Sequence, residues 1–330
     1  MRVVQLIKTG GPEVLDYVEQ PMPEPGLADV VVKAEAIGVS MPEILVRKGS
    51  YAWMPPLPTV LGIEMAGRIS AVGEGVRHLK VGDSVFVSAR ELPFRGGCYA
   101  EYLKADASAV YVLPEGADLD AAACLSNYQV AWHLLKSATK GFQFDSVLVW
   151  AAAGGVGTAV VQLARLAGKK VIGLASGSDR CDFVLSQGAH ACIDYKTQDI
   201  GQAVGDLTAG RGVDLILDCV GGPSFGRNFA WLAPLGMVVN YGLLEGSPDA
   251  TFAPAMLARF GDSVGLRYFS MHTFDSQPAR RRAAMDELVP LLVKGLIKPP
   301  IFEKIPLHDV RRAHALFETG KVLGKLLLKP

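Results

Sequence analysis

The stretch WAAAGGVGTA, residues 150–159, decides the fold because it joins an apolar run to a helical pattern. Residues 147–150 (VLVW) are typical of a buried parallel strand, and residues 157–168 (GTAVVQLARLAG) have helical spacing. The turn between them, residues 152–157, has the spacing of a dinucleotide-binding fingerprint with alanine in the first glycine's place. Small residues here also pack a helix on a sheet, but the strand–turn–helix context favours phosphate binding.

The rest of the chain shows two kinds of hydrophobic pattern. Residues 1–123 contain short alternating apolar runs broken by Gly and Pro, which predict a β-rich, barrel-like domain. Residues 124–277 alternate apolar runs with helical patterns, which predicts a doubly wound parallel sheet. After residue 277 the pattern becomes helix, strand, helix, strand. We therefore predict an α/β protein with a β-rich domain, 1–123, completed by residues 278–330, and a Rossmann domain, 124–277.

Composition argues against several functions. Lys plus Arg and Asp plus Glu both number 33, so the chain has no net charge to attract nucleic acid or an anionic membrane. No apolar run approaches the roughly 18–20 residues of a membrane span, and the alternating N-terminal residues predict a strand rather than a signal peptide. The five scattered cysteines indicate reduced thiols in the cytoplasm. His308, His314 and the basic run 280–282 are interpreted as surface residues.

The second strand of the Rossmann domain indicates the cofactor. An NAD site carries Asp or Glu at the end of this strand to bind the ribose 2′-hydroxyl. Here Val171–Ala175 is followed by Ser176, and Arg180 lies in the next helix. Hydroxyl and guanidinium groups favour a 2′-phosphate, so we predict NADPH. The alternative is that Arg180 is only an exposed helix residue and that Asp179 repels the phosphate.

Several motifs together resemble the medium-chain dehydrogenase/reductase superfamily, and most closely its zinc-independent quinone oxidoreductase (zeta-crystallin-like) branch. They are GIEMAGRISAVGEGV with LKVGDSV (62–85), AAAGGVGTAVVQLA (151–164), QGAHACIDY (187–195), VDLILDCVGG (213–222) and the ending GKLLLKP. The resemblance implies that the β-rich domain is a GroES-like catalytic domain. It also implies a homodimer formed by edge-strand pairing, with residues 264–271 (VGLRYFSM) as the candidate edge.

The resemblance also bears on metal binding. Zinc enzymes of the superfamily hold their metal at positions that match Ser40, Ile63 and Cys124 or a neighbour. Serine and isoleucine cannot form such a site, so we predict no metal. Glu64 then has a structural role.

The resemblance assigns the cofactor contacts. Tyr195 would stack near the adenine, Cys219, Gly242 and Phe269 would line the nicotinamide groove, and Lys325 would reach the phosphate–ribose region. The cofactor-binding set is therefore Gly154, Gly155, Val156, Gly157, Ser176, Arg180, Tyr195, Cys219, Gly242, Phe269 and Lys325.

Without a metal, a hydride can still be transferred to a small-molecule substrate that is already electrophilic, such as a quinone or conjugated carbonyl. The resemblance implies that Ser40 flanks the nicotinamide. It also implies that Tyr51 donates or orients a proton, the alternative being a packing aromatic.

Two other functions stay open. An enoyl-thioester reductase would need a basic rim for the carrier phosphates, for which the candidates are Arg47, Lys48 and either Arg90 or Arg95. A non-catalytic, crystallin-like NADPH-binding protein is the second.

Overall fold

The computed structural model describes residues 1–330. The chain forms two compact units: unit 1 comprises residues 1–126 and 281–330, and unit 2 comprises residues 127–280. The chain passes from unit 1 to unit 2 after residue 126 and returns after residue 280. Each of these boundaries lies three residues later than predicted.

Strands and α-helices account for most of the regular structure in both units. In chain order, the strands are β1 (Arg2–Leu6), β2 (Leu15–Glu19), β3 (Asp29–Val39), β4 (Thr59–Val60), β5 (Glu64–Val72), β6 (Ser84–Ser88), β7 (Tyr102–Asp106), β8 (Val110–Val112), β9 (Ser146–Val149), β10 (Lys170–Ala175), β11 (Ala191–Asp194), β12 (Val213–Asp218), β13 (Leu232–Asn240), β14 (Gly265–Tyr268), β15 (Ile301–Pro306) and β16 (Lys325–Lys329). The helices are α1 (Met41–Lys48), α2 (Leu119–Ala122), α3 (Leu125–Lys136), α4 (Gly155–Leu166), α5 (Ser178–Ser186), α6 (Ile200–Thr208), α7 (Phe252–Leu257), α8 (Pro278–Val293) and α9 (Val310–Glu318).

Unit 1 is built on a largely antiparallel sheet. Its strand order is β15-β16-β3-β5-β6-β8, with β7 also paired to β3, and a small second sheet has the order β2-β1-β4. The last strand, β16, pairs with β3 so that Leu326 faces Val39. This pairing brings Lys325 next to Ser40, the residue that follows β3.

Unit 2 is a six-stranded parallel sheet with the order β11-β10-β9-β12-β13-β14. Strand order reverses between β9 and β12, and in open α/β sheets ligands bind outside the carboxyl ends of the strands at such a point. The apolar strand residues Leu148, Ile172, Ile216 and Val238 are fully buried, as expected for a sheet covered on both faces.

Two surface interpretations are wrong. His314 is fully buried, and its Nε2 lies 3.1 Å from the Tyr99 hydroxyl. Arg281 is 3% exposed and forms a bidentate ion pair with Glu91. Burial of a polar side chain without a partner is costly. The partners of His314 and Arg281 are distant in the sequence, where local patterns do not reveal them.

No helix has both the length and the apolar character needed to cross a membrane.

Candidate active site

The glycine turn joins the end of β9 to helix α4. Gly154 is the N-cap of α4, and Ala151 has a φ of 50°, in the left-handed region that non-glycine residues seldom adopt. A Cβ on Gly157 would lie 2.3 Å from the carbonyl oxygen of Ala151, so only glycine lets α4 approach the strand this closely. Gly155 and Val156 are partly exposed in the first turn, where backbone N–H groups lack helical partners. The turn therefore provides both close packing and an anion-binding helix end.

Ser176 and Arg180 are brought together at the end of β10. Arg180 Nη1 donates a hydrogen bond to Ser176 Oγ at 2.7 Å. Between them, Gly177 has a φ of 90° and donates its N–H to Asp194 Oδ1 at 2.8 Å. The backbone N–H groups of Gly177 and Lys196 hold the pKa of Asp194 below its ordinary value. This carboxylate is thus engaged by the backbone, and the groups beside the strand end are a guanidinium and a hydroxyl, which favour a 2′-phosphate. Their contact with the cofactor stays a prediction.

Three predicted nicotinamide contacts lie at the carboxyl edge of the same sheet. Cys219 follows β12. A Cβ on Gly242 would lie 2.8 Å from the carbonyl oxygen of Cys219. Phe269 follows β14 and donates its N–H to the Asn240 carbonyl at 2.8 Å. Burial raises the pKa of the Cys219 thiol to about 12, while a hydrogen bond from Tyr241 opposes that shift. A raised pKa keeps the thiol protonated at neutral pH and argues against a nucleophilic role. Contact of these residues with the nicotinamide stays a prediction.

Tyr195 follows β11 and is 42% exposed, with its ring centroid 6.1 Å from that of Trp150. Its stacking on an adenine stays a prediction.

Unit 1 contains a buried charged cluster formed by Ser40, Glu43, Glu64 and Lys325, which are 7%, 1%, 0% and 3% exposed, respectively. Lys325 Nζ donates to Glu64 Oε1 at 2.5 Å and to Ser40 Oγ. Glu64 Oε2 accepts the N–H of Ser126 at 3.0 Å. A Cβ on Gly38 would lie 2.6 Å from Glu64 Oε1, so the glycine in β3 makes room for this carboxylate.

Glu43 adds a second carboxyl group to the cluster. It accepts the N–H of Ile63 at 3.0 Å and that of Ser40 at 3.2 Å. Burial raises its pKa from its ordinary value to about 7, although the Lys325 ammonium opposes the shift. The serine–glutamate spacing at 40–43 is a helix-capping pattern that could have revealed this pairing in the sequence. No local sequence pattern predicts the ion pair between Glu64 and Lys325.

The cluster places Lys325 beside Ser40 and Glu64. Its ammonium is buried because β16 pairs with β3 and directs it to these two side chains. Contact between Lys325 and the phosphate–ribose region of the cofactor stays a prediction. The Ser40 hydroxyl is likewise engaged, accepting from Lys325 and lying 3.3 Å from Glu64 Oε1. Contact between Ser40 and the nicotinamide stays a prediction.

Tyr51 follows α1 and packs against the core of unit 1. It is partly buried, and its ring centroid lies 5.7 Å from that of Trp53. Its role as a proton donor stays a prediction.

The three positions that match zinc ligands do not fit a metal. Ser40 is engaged by an ammonium, Ile63 has no donor atom, and burial raises the pKa of the Cys124 thiol above its ordinary value. No group of three or more His, Cys, Asp or Glu side chains is arranged to hold a metal ion. Zinc independence itself stays a prediction.

The parallel sheet and its glycine turn define a dinucleotide-binding class of two-domain proteins. Residues 26–115 match the alcohol dehydrogenase GroES-like domain, and residues 155–285 match the family described as zinc-binding dehydrogenase. Together with quinone oxidoreductase relatives that are 31–32% identical across almost the whole chain, these matches show that the chain belongs to the quinone oxidoreductase branch of the medium-chain dehydrogenase/reductase superfamily. This confirms both the resemblance and the predicted fold class.

Particular relatives cover almost the whole chain. Quinone oxidoreductase 1 of Escherichia coli (strain K12) is 31% identical over 330 residues, with 99% of each chain covered. Quinone oxidoreductase of Homo sapiens is 32% identical over 336 residues, covering 99% of this chain and 97% of its own. The crystal structure of Escherichia coli quinone oxidoreductase complexed with NADPH has a TM-score of 0.88 at 29% identity and covers 100% of both chains.

Proposed function

We propose that this protein transfers a hydride from NADPH to a quinone or a conjugated carbonyl compound, and that it does so without zinc. The observation that carries the proposal is the hydrogen bond from Arg180 to Ser176 at the end of β10, next to the glycine turn. The quinone oxidoreductase relatives, one of them crystallised with NADPH, support the same cofactor and acceptor.

The chain's own residues have distinct tasks in this proposal. The first turn of α4 binds the pyrophosphate, and Arg180 with Ser176 binds the 2′-phosphate. Cys219, Gly242 and Phe269 line the nicotinamide. Bound NADPH supplies the hydride.

Reduction of the acceptor also needs a proton. A quinone gives a stabilised hydroquinone anion that water can protonate, whereas a conjugated carbonyl gives a more basic enolate. Tyr51 is the proposed proton donor in the second case, because a positioned phenol can act as a general acid.

The enoyl-thioester alternative loses support from the proposed basic rim. Arg47 is fully buried and donates to the carbonyl of Gly10 at 2.8 Å and to Glu318 at 2.6 Å. Lys48 pairs with the same Glu318 carboxylate. Arg47 is therefore not available to bind a carrier phosphate, whereas Lys48 is half exposed and stays a candidate. The quinone oxidoreductase relatives support a quinone or small conjugated carbonyl as the substrate class.

We also propose a homodimer formed through β14, which lies at the edge of its sheet and carries the 56% exposed Tyr268. All five cysteines are free thiols, which supports a reducing compartment such as the cytoplasm. Light scattering of the purified protein should give twice the chain mass of 35.1 kDa. A monomer at micromolar concentration would contradict the dimer.

The function is tested by steady-state assays of NADPH oxidation with a quinone, an enone and a crotonyl thioester, together with elemental analysis for zinc. We expect turnover with the quinone and the enone, weak or no turnover with the thioester, and zinc far below one atom per chain. Activity with the thioester alone would favour the reductase alternative. Binding of NADPH with no turnover of any acceptor would favour the non-catalytic alternative.

A further inference from the structure

Asp218 is a buried carboxylate that the proposed reaction does not use. It ends β12 and is 1% exposed. Its Oδ1 accepts the N–H groups of Val220 at 2.7 Å and Gly221 at 2.8 Å, and lies 3.4 Å from Asn240 Nδ2. Its Oδ2 accepts from Asn228 Nδ2 at 2.6 Å. A buried group with this many donors organises the surrounding backbone.

The hydrogen bonds around Asp218 have a fixed direction from donor to acceptor. The indole N–H of Trp150, which can only donate, is bonded to Asn228 Oδ1 at 2.8 Å. The Asn228 amide must therefore present its NH₂ group to residue 218. Since Asn228 is itself 1% exposed, water does not offer a substitute partner. Residue 218 has to accept on both of its oxygens.

This chain of hydrogen bonds joins the glycine turn to the loops that follow β12 and β13. Trp150 is the last residue of the apolar run that leads into the turn. Asp218 holds the loop after Cys219, and Asn240 Nδ2 donates to the Gly242 carbonyl at 3.0 Å. Cys219 and Gly242 are the proposed nicotinamide walls, so one carboxylate connects both halves of the proposed cofactor site.

The two loops also hold each other. The N–H of Leu244 donates to the Cys219 carbonyl at 3.1 Å, and that of Glu245 donates to the Val220 carbonyl at 2.8 Å. Gly221 has a φ of 65°, and a Cβ there would lie 2.6 Å from the Gly246 carbonyl oxygen. Release of the first loop from Asp218 would therefore loosen the second.

We propose that Asp218 is a positioning residue that preorganises loops 219–222 and 241–246 to receive the nicotinamide half of NADPH. The inference rests on the proposed function for the identity of the ligand. Asp218 acts through Cys219 and Gly242 and does not itself touch the cofactor.

The test uses a substitution and its compensating partner. Asp218→Asn leaves only one accepting oxygen at position 218. Its NH₂ group faces either the NH₂ of Asn228 or, after rotation of the residue 218 amide, the N–H groups of Val220 and Gly221. Rotation of Asn228 would move the conflict to Trp150. The double variant Asp218→Asn/Asn228→Asp restores the match between donors and acceptors. The amide at position 218 then donates to the carboxylate at position 228, which still accepts from Trp150, while the amide oxygen at 218 accepts the loop N–H groups.

Two readouts are measured on the full chain. Hydrogen–deuterium exchange of the cofactor-free protein should be about tenfold or more faster in segments 219–222 and 241–246 of Asp218→Asn, because buried donors lose their acceptor. Exchange in α5, next to Ser176, should not change. NADPH titration should give a Kd weakened by about tenfold, and the double variant should recover both values to within about threefold of wild type.

A residue that serves only the stability of the fold would lower the melting temperature without changing the Kd of the folded protein. The proposal is therefore overturned if Asp218→Asn keeps the wild-type Kd within about twofold, or if the double variant recovers neither readout. A wild-type protein that binds NADPH but reduces no acceptor would overturn the proposed function alone, since exchange and affinity are measured without turnover.

Discussion

Replacing Lys325 with methionine removes the cation that faces a fully buried carboxylate. Glu64 is 0% exposed and Lys325 is 3% exposed, with 2.5 Å between Nζ and Oε1. After the substitution, Glu64 keeps only the N–H of Ser126 and the hydroxyl of Ser40 as donors. Breaking a buried pair from one side costs about 3–5 kcal/mol, because the remaining charge has no partner.

Thermal denaturation followed by circular dichroism measures this loss. For a unit of this size, 1 kcal/mol corresponds to about 2–4 °C, so the transition of unit 1 should fall by about 10 °C. Lys329→Met is the matched control on the same strand. Lys329 is 39% exposed and pairs with Asp120, so its removal should cost less than about 1 kcal/mol.

The double variant Lys325→Met/Glu64→Gln tests the cause. An amide at position 64 can accept from Ser126 and donate to Ser40 without a charge, so most of the lost stability should return. The reasoning is refuted if Lys325→Met is no more harmful than Lys329→Met, or if the double variant is as unstable as the single one.

Three further predictions concern the cofactor, the acceptor and pH. Arg180→Ala should weaken NADPH binding by about ten- to a hundredfold and leave NADH nearly unchanged, as measured by fluorescence titration, because a charged hydrogen bond contributes about 1.5–3 kcal/mol. Tyr51→Phe should lower kcat for an enone by about a hundredfold in steady-state assays and change quinone turnover little, because only the enolate needs a general acid. Glu43→Gln should remove a pH dependence of stability. Since burial raises the folded-state pKa to about 7, the wild-type carboxyl contributes stability below its unfolded pKa and loses it as pH rises through 7. Urea unfolding should show that the wild type gains about 2–3 kcal/mol relative to the variant between pH 8 and pH 5.

Each of these predictions has its own contradicting result. Equal loss of NADH and NADPH affinity in Arg180→Ala would mean that the guanidinium does not contact the 2′-phosphate. Tyr51→Phe turnover within about threefold of wild type for every acceptor would leave Tyr51 as a packing residue, below the range of general acids. Parallel stability–pH curves for wild type and Glu43→Gln would mean that the Glu43 pKa is not raised.

The fold could be predicted from the sequence because the patterns that indicate it are local. The glycine turn, its flanking strand and the following helix lie within about twenty residues, and the observed β9 and α4 begin one and two residues before the predicted positions. Short-range spacing also brought out Ser176 and Arg180, which lie four residues apart and form a hydrogen bond.

The buried polar pairs could not be predicted from the sequence because the two members of each pair are far apart in the chain. Lys325 and Glu64 are separated by 261 positions, and Arg281 and Glu91 by 190. Before the fold is known, such a lysine or arginine is indistinguishable from a surface cation. For the same reason the sequence predicts a surface position for His314, which is fully buried against Tyr99.

The central claim, hydride transfer from NADPH to a quinone, is tested most directly by an anaerobic single turnover. The protein is loaded with one equivalent of NADPH and mixed with excess quinone in a stopped-flow spectrometer. We predict complete loss of the NADPH absorbance with one hydroquinone formed per NADPH, and a much smaller change with NADH at the same concentration. Persistence of the NADPH absorbance in the presence of quinone, with binding verified beforehand, would contradict the proposed hydride transfer.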